Sequence, residues 1–395
     1  MEADRQGLGL EPKEITISGN NQAEIFESVQ FKVKETDGTV LTSGDILLGE
    51  CKTDEKGRLI VLGGFGNTGS VKTAELKEYD DNDYWYDDIA DGYVKATVKI
   101  NGVELTAADS WVLCTPPKYV PEMHPLITFY DTLYNKHQIA GWIQEPEKPL
   151  FYRDIYPILK RAENVTRVHK MPNRHRSIPD LFDPLADQAD KQQLFDKLRK
   201  TDGSGGNMPR MFGDGYGPAS APAKRLTLTE YQLLILRKWV DGDFEVDTIA
   251  NTQPSNEITP AGLDQAALEN CVGGAFYPGI EASWFLRDKY EFIESFRLDS
   301  TQITPGDITK QMALPWQADF LACSKTPVFD GVISWWAYAR PDDTFFEGAT
   351  QMHEWTPASE FTKYEDMVKK WMKLGFVVEK GGKYVEVQRQ ILPNP

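Results

Sequence analysis

Three side chains that could act together in chemistry follow Pro315 at helical spacing. Trp316, Asp319 and Cys323 stand at i, i+3 and i+7, which places them on one face of a helix. Pro315 is poorly tolerated inside a helix, so we expect a kink there or a short helix that begins at this residue. That face would present an indole, a carboxylate that can take up protons, and a thiol. The alternative is a buried aromatic cluster with a small apolar thiol beside it.

A pair of tryptophans follows the thiol along the chain. Trp335 and Trp336 are adjacent, and the run Arg-Pro-Asp-Asp at residues 340–343 comes soon after them. Neighbouring residues of an extended segment point to opposite sides, so only one of the two indoles should face the thiol of Cys323. Upstream, Thr304 followed by proline predicts the start of another helix.

These motifs resemble those of the lysine ε-oxidase/glycine oxidase family. The most specific stretch is residues 305–323, which read Pro-Gly-Asp-Ile-Thr-Lys-Gln-Met-Ala-Leu-Pro-Trp-Gln-Ala-Asp-Phe-Leu-Ala-Cys, with the tryptophan pair and Arg-Pro-Asp after them. The resemblance extends to residues 85–92, 271–281 and 371–377, so it spans nearly the whole chain. The chain is short for that family, which predicts the loss of loops that shape the pocket in other members.

The resemblance implies a cysteine tryptophylquinone, a cofactor made from the protein's own side chains. Cys323 would form the thioether with Trp336, Trp335 being the alternative, and Asp319 would serve cofactor assembly and proton transfer. A substrate amine would attack a carbonyl of this group, hydrolysis would release the oxidised product and ammonia, and dioxygen would restore the quinone and yield hydrogen peroxide. The family also implies a separate flavoprotein for maturation and a homo-oligomeric assembly.

Three further side chains are candidates for the substrate pocket, each with a structural alternative. Cys271 resembles a family position near the substrate channel, or it is a small buried thiol. His353 matches a pocket histidine of relatives, or it lies at the surface. Arg340 could bind a substrate carboxylate in a bidentate manner, or it could pair with Asp342 or Asp343.

Composition argues against several classes of function. Among 395 residues, 43 Lys and Arg stand against 60 Asp and Glu, a formal net charge of −17, which disfavours nucleic acid and anionic membranes as partners. Four scattered cysteines predict neither a disulfide framework nor structural zinc, and no two of the five histidines are spaced i, i+4, so we expect no metal. The start of the chain lacks the pattern of a signal peptide and no apolar run could span a bilayer. We therefore expect a cytoplasmic protein, with non-classical export left open.

The sequence predicts an α+β fold in two parts. Residues 1–120 should form a sandwich-like region of short antiparallel strands, with period-two alternation over residues 94–100 and hairpin signals at Asn101-Gly102 and Asp37-Gly38. Residues 121–395 should form a mainly helical catalytic region. Expected helices there cover residues 154–161 and 191–200, a segment capped by Thr227 with Glu230 that ends at Gly242, and a segment that begins at Thr356.

Two loops could have been binding sites, and both are given structural interpretations. The acidic run at residues 80–91 could hold a hard cation, but it lacks the EF-hand spacing and is interpreted as a solvated turn. The glycine-rich stretch at residues 202–217 lacks the Gly-Lys-Ser/Thr of a phosphate loop and is interpreted as a flexible rim.

The leading hypothesis is therefore a quinoprotein oxidase that deaminates the primary amine of an amino acid. The rival is a non-oxidase relative that keeps the scaffold as a binding or structural protein. The short chain favours the rival. Retention of Cys323, Asp319 and both tryptophans favours the enzyme, because a scaffold has no need of all four.

Overall fold

The computed structural model of the chain describes residues 9–114, 116–168, 178–209, 226–248, 258–273, 286, 292–310, 312–324, 338–355 and 361–387, with the backbone alone for residues 323 and 324. Several positions discussed above lie outside the described residues: Trp335, Trp336, the helix start at Thr356 and residues 210–217 of the glycine-rich stretch, together with two of the five histidines, His169 and His175. The described residues confirm the α+β class.

Short antiparallel strands make up the N-terminal part of the described chain. They are β1 (Ala23–Ile25), β2 (Lys32–Lys34), β3 (Val40–Thr42), β4 (Gly49–Thr53), β5 (Leu59–Gly63), β6 (Thr68–Ser70), β7 (Trp85–Asp87), β8 (Asp91–Val94), β9 (Thr97–Ile100), β10 (Val103–Thr106) and β11 (Ser110–Leu113).

These strands pair as one three-stranded sheet, β1-β4-β5, and as the two-stranded ribbons β2-β3, β6-β7, β8-β11 and β9-β10. The hairpin signal at Asn101-Gly102 is confirmed, because both residues have positive φ (50° and 82°), as a type I′ turn requires. The continuous half-buried strand expected over residues 94–100 is wrong. The chain leaves β8 at Val94 and re-enters β9 at Thr97, where β9 and β10 form a ribbon whose residues are all exposed.

Helices dominate the middle of the chain. They are α1 (Phe129–Ile139), α2 (Tyr156–Asn164), α3 (Gln188–Lys197), α4 (Glu230–Val240), α5 (Pro260–Glu269), α6 (Trp316–Ser324) and α7 (Tyr364–Lys370), with a π-helical turn (Phe151–Ile155) that leads into α2. In the described part of the chain, each helix is too short or too polar to serve as a membrane span.

Helix α4 begins two residues later than the sequence pattern predicts. Thr229 is the N-cap and forms the capping box with Gln232, so the assignment of the cap to Thr227 and Glu230 is wrong. The physical reason is register, because a capping hydroxyl must reach the N–H three residues on, and only Thr229 has that geometry at this helix start. Gly242, with a φ of 78°, ends the helix as expected.

The C-terminal part adds strands that the periodicity did not predict. They are β12 (Phe292–Glu294), β13 (Arg297–Leu298), β14 (Asp343–Phe346), β15 (Met352–Glu354), β16 (Phe376–Lys380) and β17 (Lys383–Val387). The last four form one sheet in the order β15-β14-β17-β16, in which β14 and β17 run parallel and the other pairs antiparallel.

One hydrophobic core connects the helical part with the C-terminal sheet. Fully buried aromatic side chains at its centre include Tyr119, Trp239, Trp316, Phe320 and Trp355. Side chains of the N-terminal part, among them Ile89, Trp111 and Leu113, pack against this core from one side. Helix α6 therefore lies where the N-terminal strands meet the core.

Candidate active site around helix α6

Helix α6 begins directly after Pro315, which confirms the short helix expected at this proline. The helix expected at Thr304 is wrong, because residues 305–310 form turns. Gly306 adopts a φ of 87°, and the Asp91 carboxylate accepts the backbone N–H groups of Ile308 and Thr309 at 2.9 and 2.8 Å. The Thr304 hydroxyl does not cap a helix, because it donates to Oδ2 of Asp307 at 2.7 Å.

The first turn of α6 is fastened to the N-terminal strands. The backbone N–H of Trp316 donates to Oδ2 of Asp87 at 3.0 Å, and its indole Nε1 donates to the carbonyl of Gly66 at 3.3 Å. The side chain of Gln317, which is fully buried, contacts the hydroxyl of Thr68 through Oε1 at 2.8 Å. That hydroxyl also contacts Oδ1 of Asp87.

The interpretation of the acidic run as a solvated turn is wrong for its second half. Asp87 and Asp91 are largely desolvated, and Asp88 accepts the N–H groups of Phe65 and Asn67 at 2.9 and 2.8 Å. Burial raises the pKa of Asp87 to about 7 and also raises the pKa of Asp88 and Asp91. These carboxylates accept backbone N–H groups from other segments of the chain and are not solvated.

The helix face that carries the predicted chemistry is only partly enclosed. Trp316 is fully buried and makes edge-to-face contacts with Trp371, 5.4 Å between centroids, and with Phe320, 5.7 Å. Asp319, one turn before Cys323, is partly exposed. The backbone of Cys323 belongs to α6, so the helical spacing of Asp319 and Cys323 is confirmed.

Arg340 attaches the segment after the tryptophan pair to α6. Its Nη1 donates to the carbonyl of Phe320 at 3.2 Å, and its guanidinium lies 5.3 Å from the centroid of the Phe320 ring. The side chain is buried, with 4% of the residue exposed. Arg340 therefore contacts the helix that carries Asp319 and Cys323.

Residues 118–129 connect the helix to the other candidates. The ring of Tyr119 packs between Phe320, at 5.4 Å, and Trp355, at 4.8 Å. The backbone N–H of Val120 donates to the carbonyl of Tyr338 at 2.8 Å. The carbonyl of Cys271 accepts the N–H of Phe129 at 2.9 Å. These bonds hold the segments of Cys271 and Tyr338 against residues 118–129.

Cys271 lies just beyond the end of α5 and is partly exposed. Its neighbour Asn270 accepts a hydrogen bond from Nζ of Lys118 at 2.5 Å. Burial lowers the pKa of Lys118 to about 8. Burial, with the charges of Lys118 and Arg161, also lowers the pKa of His124 to about 4. Cys271 thus lies near the desolvated amine of Lys118. A small thiol in a fully apolar core would have no such neighbour.

His353 lies on strand β15, and its contacts belong to the C-terminal sheet. Its ring stacks on Phe346 at 3.4 Å between centroids, Nδ1 lies 2.7 Å from the carbonyl of Glu354, and Nε2 lies 3.6 Å from the buried carboxylate of Glu386. Asp319 and Cys323 thus lie on α6, and Arg340 contacts that helix at Phe320. Cys271 and His353 are tied to two other segments, residues 118–129 and the C-terminal sheet.

Sequence reasoning missed Asp87, Thr68 and Gln317, which fix the helix. Asp87 lies inside residues 85–92, a stretch that carried the resemblance, so its place in that motif was a usable signal. Gln317 likewise lies inside residues 305–323, the most specific stretch of the resemblance, whereas Thr68 lies outside every such stretch. Within the described ranges, no group of three or more His, Cys, Asp or Glu side chains is arranged to hold a metal ion.

Comparison with known proteins agrees with this architecture. Two family models match the chain, "L-Lysine epsilon oxidase N-terminal" over residues 1–114 and "L-lysine epsilon oxidase C-terminal domain" over residues 203–347. The L-lysine 6-oxidase of Marinomonas mediterranea is 25% identical over 401 aligned positions, which cover 82% of this chain and 53% of that protein. The chain therefore spans about half the length of this relative.

Solved structures of the L-Lys epsilon-oxidase from Marinomonas mediterranea share the fold. One superposes with a TM-score of 0.70 at 21% identity, covering 94% of this chain and 74% of the other. Another, described as the Schiff base intermediate with L-Lys, gives a TM-score of 0.68 at 22% identity, covering 88% and 69%. Since models of both its N-terminal and its C-terminal domain match, the chain belongs to the L-lysine epsilon-oxidase family.

Proposed function

We propose that this protein oxidatively deaminates the primary amine of an amino acid with a cysteine tryptophylquinone formed from Cys323 and Trp336, Trp335 being the alternative indole. The observation that carries the proposal is the bond between Arg340 and the Phe320 carbonyl. It joins a residue four positions after Trp336 to a residue three positions before Cys323. The relatives support the same reaction, since they are named L-lysine 6-oxidase and L-Lys epsilon-oxidase.

The residues around α6 fit such a group chemically. Its formation needs a thiol, an indole and a nearby carboxylate, and Asp319 is one helical turn before Cys323 on the same helix. When formed, the group supplies an electrophilic carbonyl for an unprotonated amine and accepts the two electrons removed from the substrate. The helix is held in place by packed aromatic rings, since Trp316 and Phe320 of α6 contact each other and Tyr119 packs on Phe320.

Asp319 is the proposed proton acceptor. The substrate carbon that carries nitrogen must lose a proton as its electrons leave, and a carboxylate positioned on α6 can accept that proton. Its partial exposure gives the proton a route to solvent. The overall reaction balances when amine, dioxygen and water become a carbonyl product, ammonia and hydrogen peroxide.

The remaining candidates are proposed to shape the pocket. Arg340 is either the partner of the substrate carboxylate or the clamp that holds its segment on α6, and its buried contact with Phe320 favours the clamp. Cys271 is proposed to line the substrate channel beside Lys118. His353 is proposed as a pocket histidine through its position past the tryptophan pair, with its orientation fixed by Phe346.

Partners and location belong to the same proposal. A separate flavoprotein would mature the quinone, dioxygen would be the oxidant, and the assembly would be a homo-oligomer in the cytoplasm. An amine substrate is consistent with the formal charge of −17, because an acidic surface attracts cations.

The experiment is expression with a maturation flavoprotein, followed by visible absorption spectroscopy and a hydrogen peroxide assay on a panel of amino acids and simple amines. We expect a quinone chromophore and peroxide release with primary amines, L-lysine first among them, and none with secondary or tertiary amines. A matured chromophore with no turnover across the panel would contradict the oxidase proposal and favour a non-oxidase binding or structural role. Protein expressed without the flavoprotein is the control.

A further inference from the structure

The hydroxyl of Thr68 lies between two oxygen atoms that are both ordinarily acceptors. One is Oδ1 of Asp87 and the other is Oε1 of Gln317, at 2.8 Å. A hydroxyl carries one hydrogen and can donate only once. If Asp87 is ionised, one of these two contacts is therefore a pair of acceptors that face each other without a hydrogen.

Rotation of the Gln317 amide does not remove the conflict. The amide Nε2 donates to the carbonyl of Gly66 at 3.5 Å. If the amide were reversed, its nitrogen would reach Thr68, but its oxygen would then face the Gly66 carbonyl. Only one arrangement gives every contact a hydrogen. In it, protonated Asp87 donates to Thr68, Thr68 donates to Gln317, and Gln317 donates to Gly66.

We propose that Asp87 is a positioning residue for helix α6 that holds a proton in the resting protein. Its Oδ1 donates to Thr68 and its Oδ2 accepts the N–H of Trp316, so the neutral carboxyl closes a hydrogen-bonded ring between strands β6 and β7 and the first turn of α6. The functional consequence rests on the proposed function, because α6 carries Asp319 and Cys323.

The surroundings of Asp87 favour the neutral form. Burial disfavours a charge there, and the neighbouring carboxylate of Asp88 acts in the same direction. Hydrogen bonds that the Thr68 hydroxyl and the Trp316 N–H can give to the ionised form oppose them, and the result is a pKa of about 7. Strand β6 brings no titratable side chain. The other titratable side chains on these elements are Tyr86 on β7 and Asp319 and Cys323 on α6. Next to β7 stand Asp80, Asp81, Asp83 and Tyr84 before it and Asp88 after it.

Asp88 offers a matched control on the adjacent residue. Its carboxylate accepts hydrogen bonds from the N–H groups of Phe65 and Asn67 and from the side-chain amide of Asn67. All its described partners are donors, so an amide nitrogen there would face other donors. Asp87→Asn should instead preserve the ring, because its NH₂ can donate to Thr68 while its oxygen accepts from Trp316.

The test compares the wild-type protein with Asp87→Asn and Asp88→Asn. Infrared spectra in D₂O at pH 5.5 to 6 should contain a protonated carboxyl band in wild type that Asp87→Asn removes. The unfolding equilibrium constant of wild type relative to Asp87→Asn should rise about tenfold per pH unit between about 4 and 7 and then level off. Asp88→Asn should be markedly less stable than Asp87→Asn.

Any one of three results would overturn the proposal. They are the absence of the carboxyl band, a ratio of the wild-type to the Asp87→Asn unfolding equilibrium constant that does not vary with pH, and equal destabilisation by the two variants. Quinone formation is a further readout. We expect Asp87→Asn to mature like wild type, and Asp87→Ala, which removes both hydrogen bonds, to mature poorly. If wild type itself forms no quinone while the infrared and pH results hold, the proposed function fails and the protonation of Asp87 stands.

Discussion

Arg340 holds the backbone of Phe320 with its Nη1 atom, 3.2 Å from the carbonyl oxygen, while its guanidinium faces the ring of the same residue. One side chain thus fixes both the main chain and the aromatic ring of a helix residue. The contact is buried, so water does not weaken it as it weakens a surface pair. It binds the chain just after the tryptophan pair to the helix that carries Cys323.

Arg340→Lys should destabilise the protein by about 1.5–3 kcal/mol, the range for a buried hydrogen bond to a charged group. A lysine keeps the charge but loses the planar group that stacks on Phe320. Urea unfolding measures the change. Arg297→Lys, in an exposed pair with Glu294, is the control and should change stability by less than about 0.5 kcal/mol. If Arg340→Lys leaves the free energy of unfolding unchanged, Arg340 does not hold its segment on α6.

The same variant separates the two roles proposed for Arg340. If it binds the substrate carboxylate, Arg340→Lys should raise the KM for lysine far more than the KM for 1,5-diaminopentane, which lacks that carboxylate. If Arg340 acts only as a clamp, Arg340→Lys should change the KM for both substrates by the same factor.

Asp319→Asn should leave the fold intact and prevent quinone formation or slow turnover by about 100- to 10,000-fold, the usual range for lost general-base assistance. The asparagine has nearly the same shape but cannot accept a proton. Asp366→Asn on α7, where the carboxylate pairs with Lys370 at the surface, is the control. Full maturation and wild-type turnover of Asp319→Asn would remove Asp319 from the site.

Trp316→Phe should cost about 1–2 kcal/mol, because the phenyl ring keeps most of the packing against Phe320 and Trp371 but loses the hydrogen bond to Gly66. Trp316→Ala should cost about 3–5 kcal/mol through the cavity it leaves. Thermal and urea unfolding provide the values. An alanine variant as stable as the phenylalanine variant would mean that Trp316 does not join α6 to the N-terminal strands.

Lys118 should make stability depend on alkaline pH. Its folded pKa of about 8 lies below the ordinary lysine value, so between about pH 8 and 10 the unfolded chain binds more protons than the folded protein. Stability relative to Lys118→Met should therefore rise with pH across that window, by at most about 1.4 kcal/mol per pH unit. A difference that stays constant from pH 7 to 10 would contradict a desolvated Lys118.

Local patterns predicted the elements whose cause is local. Pro315 sets the start of α6, Asn101-Gly102 sets a hairpin, and Gly242 ends α4, because each conformation follows from the residue at that position. The spacing of Asp319 and Cys323 is of the same kind. These features need only the 3.6-residue period or the φ preference of one residue.

Bonds between distant residues decided what the patterns missed. Asp87 and Trp316 are 229 positions apart, and Asp91 binds Ile308 and Thr309 from about the same separation. From the local sequence alone, a carboxylate in such a bond resembles a solvated charge. Thr304-Pro305 likewise resembles a helix start, although the N–H groups that follow it, those of Ile308 and Thr309, donate to Asp91. Whether such a carboxylate is solvated or binds backbone depends on how deeply it is buried, and the local sequence does not give that burial.

The covalent bond between Cys323 and Trp336 is the central claim, and peptide mapping by mass spectrometry tests it most directly. Trypsin cuts after Lys310, Lys325 and Lys363 but not at Arg340-Pro341, so the cysteine and both tryptophans fall on the separate peptides 311–325 and 326–363. From protein matured with the flavoprotein, we predict one linked species with two added oxygens, whose fragments locate the thioether at Trp336. Two separate, unmodified peptides from that same preparation would contradict the account.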